Sequence, residues 1–324
     1  DWDNVGVQAG NIDGQVNKIL VTLDITTEVV KEALNKNCEM IISHHPLIFN
    51  KLDAVDNTTK TGQIIIESLK NDLILFSSHT NLDICPGGLN DYLANLLEIK
   101  NLKPLEVTKQ EPYFKLVVYI PADYLENVKD AILNAGAGHI GNYSHTSFAT
   151  QGQGTFKPLT NSNPYYGNKD QVNQTSEYRF ETIISESQIN KIKKVMFKEH
   201  PYEEVAYDIY RLKHQSRKIG LGRIGNLTSE MKLKQFINKI KSSLNLKNVK
   251  YIGSDDTIIN KVAVCSGSGA DLINQAQQSG ADLLVTGDVK YHKAQLAEKI
   301  GLALVDAGHY QTEIIIKNML LEKI

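Results

Sequence analysis

Short apolar runs alternate with amphipathic stretches through the N-terminal part of the chain. The apolar runs cover residues 18–24, 39–43 and 73–77. Residues 26–34 and 60–71 lie between them, and their apolar side chains recur with the period of an α-helix. Strands that alternate with helices of this length are typical of a parallel sheet. The pattern therefore predicts an α/β segment at this end of the chain.

A different pattern begins at about residue 107. Strands and helices are predicted in alternation, starting with a strand, over residues 114–120, 123–135, 178–184, 187–198 and 206–212. The stretch that ends at about residue 174 is rich in Gly, Asn and Ser, which predicts turns and a mobile loop. The pattern indicates an α+β insert over residues 107–213, with a ferredoxin-like order of strands and helices.

The α/β pattern returns after this insert. A helix is predicted over residues 231–244, and strands are predicted over residues 261–265, 283–286 and 303–306. The predicted fold class is therefore α/β. We expect residues 1–106 and 214–324 to form the two α/β halves of one core, with the α+β domain inserted between them.

Composition narrows the class of protein. Of the 324 residues, 41% are hydrophobic and 22% are charged, which is typical of soluble globular proteins. The net charge of −2 provides no overall positive field for nucleic acid. No apolar run approaches the roughly 18–20 residues that span a bilayer. The three cysteines are widely spaced and odd in number, which favours free thiols. We therefore expect a cytoplasmic protein without membrane or nucleic-acid partners.

Polar side chains follow two of the N-terminal strands at the points where these strands end. His44 and His45 come directly after the run at residues 39–43, and residues 79–83 (HTNLD) follow the next strand. Parallel sheets bind ligands at the carboxyl ends of their strands, and histidine is the commonest metal ligand. A hydrogen-bonded pair explains the two histidines equally well, and a turn or a helix cap explains Asp83.

A third polar cluster lies near the C-terminal end. His309 and Glu313 are four residues apart in a predicted helix, so they project from one face. A surface ion pair is the alternative explanation. Together with His44, His45 and Asp83, they form a set that suits zinc, manganese or iron rather than calcium. A bridging glutamate favours two divalent ions, and zinc is the first expectation.

Several other residues are weaker candidates. Asp288, Tyr291 and His292 follow a predicted strand, and both His79 and His292 are candidate proton carriers. A purely structural hydrogen bond explains each of them as well. The glycine-rich residues 265–270 suit either an anion at a helix start or a tight strand-to-helix turn. The sequence has no GxxxxGKS/T phosphate loop, and no site for an organic cofactor is expected.

Six ordered motifs resemble those of the GTP cyclohydrolase 1 type 2 homologue family. They are WDNVG, SHHPLIF, HTNLD, PGGLN, GDVKYH and DAGHY, at residues 2–6, 43–49, 79–83, 86–90, 287–292 and 306–310. The resemblance implies a dinuclear metal site whose ligands are His44, His45, Asp83, His309 and Glu313. It implies that one ion takes His45 and Asp83, that the other takes His44 and His309, and that Glu313 bridges them.

The same resemblance has implications beyond the metal site. It implies a toroidal homohexamer whose metal sites face an inner cavity. Residues 200–206 (HPYEEVA) are similar to part of the CutA-like insert of longer bacterial members, where it is accessory. Members of the family also carry a helix before the WDN motif, and we expect this helix to be either cut from the present chain or disordered.

Two functions from different classes are consistent with these expectations. The first is a metal-dependent hydrolase, in which metal-bound water attacks GTP, another nucleotide or a phosphoester. The second is a regulatory or partner-binding toroidal protein, in which the metals are structural or sensory. Open coordination positions favour the hydrolase, because a structural site is saturated by protein ligands.

Overall fold

The structure is a computed structural model that describes residues 3–141 and 143–324. Trp2 of the WDNVG motif therefore lies outside the described residues. The chain divides into two compact units, which are Asp1–Thr108 with Ile219–Ile324, and Lys109–Lys218. We call them the core unit and the middle unit. The boundaries predicted from the sequence for the inserted domain, residues 107–213, stay a prediction.

The described residues form strands and helices along the whole chain. The strands are β1 (Gly6–Ala9), β2 (Ile19–Thr22), β3 (Met40–Ser43), β4 (Ile74–Ser77), β5 (Lys100–Pro121), β6 (Ser147–Phe156), β7 (Asn173–Ser185), β8 (Tyr207–Lys232), β9 (Lys250–Ile252), β10 (Ile258–Val264), β11 (Leu283–Thr286) and β12 (Ala303–Asp306). The α-helices are α1 (Thr27–Asn35), α2 (Lys60–Lys70), α3 (Thr80–Ile84), α4 (Leu89–Leu96), α5 (Leu125–Asn134), α6 (Ile189–Glu199), α7 (Leu233–Ser243), α8 (Ile273–Gln278), α9 (Tyr291–Lys299), α10 (His309–Glu313) and α11 (Ile316–Leu321).

The first sheet of the core unit has the strand order β1-β4-β3-β2. Strands β2, β3 and β4 are parallel, as predicted, while β1 is an antiparallel edge strand. Helix α1 begins after Thr26, whose hydroxyl accepts a hydrogen bond from the backbone N–H of Val29. Ser43 and Ser77 are paired at the ends of β3 and β4. The residues that follow these two strands therefore emerge side by side.

The second sheet of the core unit contains the parallel strands β10, β11 and β12. Strands β8 and β9 flank them in antiparallel orientation. Successive side chains point to opposite faces: Val264 and Val285 join the cluster that includes α4 and α7, whereas Ala263 and Leu284 join the cluster that includes α8 and α9. Helices thus cover both faces, which confirms the predicted α/β class.

The middle unit has the element order β-α-β-β-α-β, from β5 to β8, and the strand order β6-β7-β5-β8. This is the ferredoxin-like arrangement. Helices α5 and α6 pack on one face of the sheet, where Val118, Ile132 and Met196 are fully buried. The expectation of a mobile loop up to residue 174 is wrong for Ser147–Phe156, where β6 pairs with β7, whereas residues 157–172 form turns and irregular structure. No apolar alternation marks this strand, because most of β6 is exposed.

None of the helices in the described residues has the length and apolar character needed to cross a bilayer.

Arg223 ties β8 to the segment that follows α3. Its guanidinium is nearly fully buried and lies 2.7 Å from a carboxylate oxygen of Asp91. It also donates hydrogen bonds to the carbonyl oxygens of Cys85 and Gly220, at 2.8 Å each. Removal of one partner from a buried ion pair leaves the other charge without compensation.

We therefore expect Arg223→Met to lower the free energy of unfolding by about 3–5 kcal/mol. The measurement is chemical denaturation followed by circular dichroism. Lys234→Met is the matched control, because the Lys234–Asp255 ion pair lies on the surface and its loss should leave the midpoint nearly unchanged. Equal midpoints for the two variants would contradict this role of Arg223.

Candidate metal centre

Four histidines of the core unit meet in one crevice. His44 and His45 follow β3, His79 follows β4, and His309 is the first residue of α10. The ring centroid of His44 lies 5.3 Å from that of His45 and 5.1 Å from that of His79. The ring of His309 lies 5.7 Å from that of His45. The carboxyl ends of β3, β4 and β12 therefore bring the four imidazoles together, as expected for parallel strands.

Each of the four imidazoles is fixed through its Nδ1 atom by an oxygen that accepts a hydrogen bond. The distances are 2.9 Å from His44 to the carbonyl of Ser78, 2.8 Å from His45 to Asp24, 2.8 Å from His79 to Asp3, and 2.7 Å from His309 to Asp288. A carbonyl or a carboxylate can only accept, so Nδ1 carries the proton. The lone pair of a neutral ring is then on Nε2, as in histidines that bind metals.

The carboxylate of Glu313 lies among these Nε2 atoms. Its Oε2 atom is 3.0 Å from Nε2 of His45 and 3.0 Å from Nε2 of His309. Its Oε1 atom is 3.6 Å from Nε2 of His44. A second carboxylate, that of Asp83, places Oδ1 3.8 Å from Nε2 of His44. The five residues predicted to be metal ligands therefore lie within one cluster, whose two carboxylates are buried.

Two atoms of this cluster are buried without a hydrogen bond from any described residue: Nε2 of His44 and Oε2 of Glu313. The Nε2 atoms of His45 and His309 each lie 3.0 Å from this Oε2 atom. Such atoms cost free energy unless a partner satisfies them. The donor atoms of His45, His309 and Glu313 lie within 4.8 Å of one another, as do those of His44, His45 and His79. The donor set fits divalent metal ions.

The protonation equilibria of the cluster are strongly coupled. Close contact with the Glu313 carboxylate raises the pKa of His45 to about 9, against the effect of burial. Burial opposes ionisation of Glu313, but contacts with His44 and His45 outweigh it and lower the pKa of Glu313 to about 2. Burial raises the pKa of Asp83 to about 6. The crevice therefore favours positive charge around Glu313.

Buried hydrogen bonds hold the segment that carries Asp83, and a glycine turn leaves room for Glu313. The side-chain amide of Asn90 donates to the carbonyl of Asp83 at 3.1 Å, and its oxygen accepts from the backbone N–H of Ser266 at 2.8 Å. Gly267 follows, with φ of +63°, and a Cβ atom there would lie 2.2 Å from Oε1 of Glu313. The glycine at this position is thus needed by a tight turn that leaves room for Glu313.

The candidate ligands fall into two groups around the two oxygens of Glu313. His45 and His309 lie closest to one oxygen of Glu313, whereas Nε2 of His44 lies near the other oxygen and near Asp83. The resemblance paired His45 with Asp83 and His44 with His309. Distances between side chains do not assign ligands to individual ions, so that pairing stays a prediction.

The other candidates occupy different positions. His79 belongs to the cluster, whereas Nδ1 of His292 lies 3.3 Å from Gln295 on its own helix and the side chain is exposed. Tyr291 is also exposed. A functional role for Tyr291, and the role of His292 as a proton carrier, stay predictions.

Asp3 and Asp24 are functional candidates that the sequence reasoning missed. Asp24 lies two residues after the end of β2, close to a strand end as His44 is, and that position was the available signal.

Comparisons with known proteins agree with this architecture. The profile of the family described as Duf34/NIF3 (NGG1p interacting factor 3) matches residues 1–324. A Bacillus subtilis protein named GTP cyclohydrolase 1 type 2 homolog is 42% identical over 315 residues, which cover 97% of this chain and 84% of the relative. A Listeria monocytogenes protein of the same name is 42% identical over 324 residues, which cover all of this chain and 87% of the relative.

Solved structures are similar as well. The crystal structure of a Bacillus cereus protein related to NIF3 aligns with a TM-score of 0.84 and 42% identity, covering 99% of this chain and 86% of the other. That of a Staphylococcus aureus protein aligns with a TM-score of 0.66 and 33% identity, with the same coverage. The match thus extends over the sequence and over the fold, and this chain belongs to the Duf34/NIF3 family.

Proposed function

We propose that this protein is a metal-dependent hydrolase with a dinuclear centre. The observation that carries the proposal is the convergence of unsatisfied donor atoms in the crevice, with Nε2 of His44 and Oε2 of Glu313 buried beside the rings of His45 and His309. An ordinary buried cluster would pair these atoms with one another. Divalent cations would satisfy them.

His44, His45, Asp83, His309 and Glu313 would hold the two ions. Imidazole nitrogens with carboxylate oxygens suit zinc first, and also manganese or iron. When bound, such ions would lower the pKa of a coordinated water to about 7 and would polarise the substrate bond that is to be broken. Five protein ligands shared between two ions leave coordination positions for water, which supports the hydrolase over a purely structural site.

The remaining residues of the crevice would orient the ligands and move protons. Asp24 and Asp288 hold Nδ1 of His45 and His309, so that each ring keeps its Nε2 atom toward Glu313. Such carboxylate–histidine contacts fix the tautomer and raise ligand basicity. His79, held by Asp3, lies beside the rings of His44 and His45 and is only partly exposed. We propose it as the proton carrier of the reaction.

The substrate that we propose is a nucleotide, with hydrolytic opening of the GTP ring as the first reaction to test. Support comes from relatives named GTP cyclohydrolase 1 type 2 homolog. Another nucleotide or a phosphoester would make the same demands on the centre, because each reaction needs an activated water and stabilised negative charge.

We also propose three features that rest on the family resemblance. They are assembly as a toroidal homohexamer, a CutA-like accessory role for the middle unit, and a location in the cytoplasm. The β-α-β-β-α-β order of the middle unit supports the second of them.

Glu313→Gln tests the centre directly. The amide is nearly isosteric with the carboxylate but has no negative charge to share between two ions. We expect it to lose both ions, whereas His292→Ala, an exposed histidine outside the cluster, should keep the wild-type content. Metal per subunit is measured by elemental analysis of protein purified without chelators. A wild-type metal content in Glu313→Gln would overturn the proposed centre.

Gly267→Ala tests whether the turn at Gly267 leaves the space that the Glu313 carboxylate occupies. The new methyl group would displace the carboxylate, since a Cβ atom at this position would lie only 2.2 Å from Oε1. We expect metal affinity to fall at least tenfold, about 1.4 kcal/mol. Gly301→Ala is the matched control, because Gly301 also has a positive φ, of +73°, but a Cβ atom there meets open space. Equal losses in both variants would assign the effect to backbone strain alone.

Turnover decides between the two classes of function. We expect protein loaded with zinc or manganese to convert GTP, and we expect the Glu313→Gln variant to be inactive. The products are separated and quantified by chromatography. Bound metal without turnover of GTP, other nucleotides or phosphoesters would favour the regulatory function. In that case the metals would be structural or sensory.

A further inference from the structure

A cavity lies within the middle unit, and no candidate metal ligand lines it. Its volume is about 520 Å³, which falls in the range of roughly 300–1,000 Å³ that is typical of small-molecule sites. Five of its sixteen lining residues are aromatic, namely Tyr119, Phe156, Tyr165, Tyr166 and Tyr202. Residues 200–206, which carry the HPYEEVA motif, contribute several lining residues, including Tyr202.

The aromatic side chains support one another. The ring of Tyr165 packs edge to face against Tyr124, with centroids 5.6 Å apart, and lies 6.1 Å from the ring of Tyr202. These distances are those of favourable aromatic pairs. About half of the Tyr165 surface is nevertheless exposed. Tyr165 thus lines the cavity with part of its surface exposed, while neighbouring rings hold it in place.

A carboxylate is fixed in the same wall. The hydroxyl of Tyr202 donates a hydrogen bond to Oε1 of Glu177 at 2.8 Å, and the side chain of Glu177 is partly buried. Gly154 on the neighbouring strand makes room for it, because a Cβ atom there would lie 2.1 Å from Oε2 of Glu177. Burial and the adjacent carboxylate both raise the pKa of Tyr202, so the hydroxyl keeps the proton that it donates.

The charge of the lining favours a cation. Glu177, Glu203 and Glu204 are lining residues, and Lys157 is the one basic residue among them. Glu203 already accepts a hydrogen bond from the backbone N–H of Asn163, which anchors the loop over the cavity. An anionic ligand such as a nucleotide would meet net negative charge here. A cation instead gains from both the carboxylate and the faces of the tyrosine rings.

We propose that this cavity binds a small organic cation, an alkylammonium group of about the size of choline. The ammonium would lie against the tyrosine faces and near Glu177, while its alkyl substituents would contact the apolar wall formed by Phe156 and its neighbours. The attraction of a cation to the electron-rich face of an aromatic ring, together with a nearby carboxylate, is the physical basis of this recognition.

The test compares choline with its neutral isostere, 3,3-dimethylbutan-1-ol. The full chain is titrated with each compound, and binding is followed by calorimetry and by ligand-observed NMR. The two probes share their shape and their apolar surface, so a difference between them reports on charge. We expect saturable binding of choline and at least tenfold weaker binding of the isostere. Equal affinity for both, or no binding of choline at millimolar concentrations, would overturn the proposal.

Variants locate the binding. Glu177→Gln should weaken choline binding about tenfold and leave the isostere unaffected, and Tyr165→Leu should weaken choline binding to a similar extent. Tyr143→Leu is the matched control, since Tyr143 is an exposed tyrosine of the same unit that does not line the cavity. Circular dichroism identifies any variant that fails to fold. If one of the two cavity variants does not fold, the other still tests the proposal. Unchanged choline affinity in a folded cavity variant would contradict the assignment.

Discussion

The contact of one buried carboxylate with three imidazoles is the interaction on which the candidate site depends. Glu313 is 4% exposed, and its two oxygens face Nε2 atoms that come from different parts of the core unit. A buried carboxylate with so few hydrogen bonds is costly unless cations surround it. Each feature around it, from the glycine turn at Gly267 to the fixed ring orientations, keeps this contact geometry in place.

Parallel strands in the two sheets of the core unit position the residues of this contact. The ends of β3 and β4 are in register, so His44 and Ser78 emerge together and the carbonyl of Ser78 can hold the His44 ring. In the second sheet, β11 and β12 are parallel neighbours, and the residues after them, Asp288 and His309, form the corresponding contact. In both cases parallel pairing brings a ligand and the group that orients it to the same edge of a sheet.

The sequence predicted this site better than it predicted the contacts that support it. Apolar runs locate buried strands, so polar residues at strand ends such as His44 and His309 could be found by position. Asp3 could not be found in the same way, because it follows no apolar run and a lone acidic residue in a loop is usually solvated, whereas Asp24 does stand at the end of such a run. Strand β6 was missed for a related reason: its exposed, glycine-containing ladder depends on backbone hydrogen bonds to β7, which leave no hydrophobic pattern.

Buried polar atoms without hydrogen-bond partners indicate where a ligand is needed in this chain. Among the described residues three such side-chain atoms occur, and two of them, Nε2 of His44 and Oε2 of Glu313, belong to the same crevice. Natural proteins satisfy their buried polar groups elsewhere and depart from that rule where a ligand completes the site. The cavity of the middle unit does not depart from it, since Glu177 accepts a hydrogen bond from Tyr202 and is only partly buried. The two proposed sites therefore rest on different physical grounds: buried atoms without partners call for metal ions at the first, whereas tyrosine rings and acidic lining residues favour an organic cation at the second.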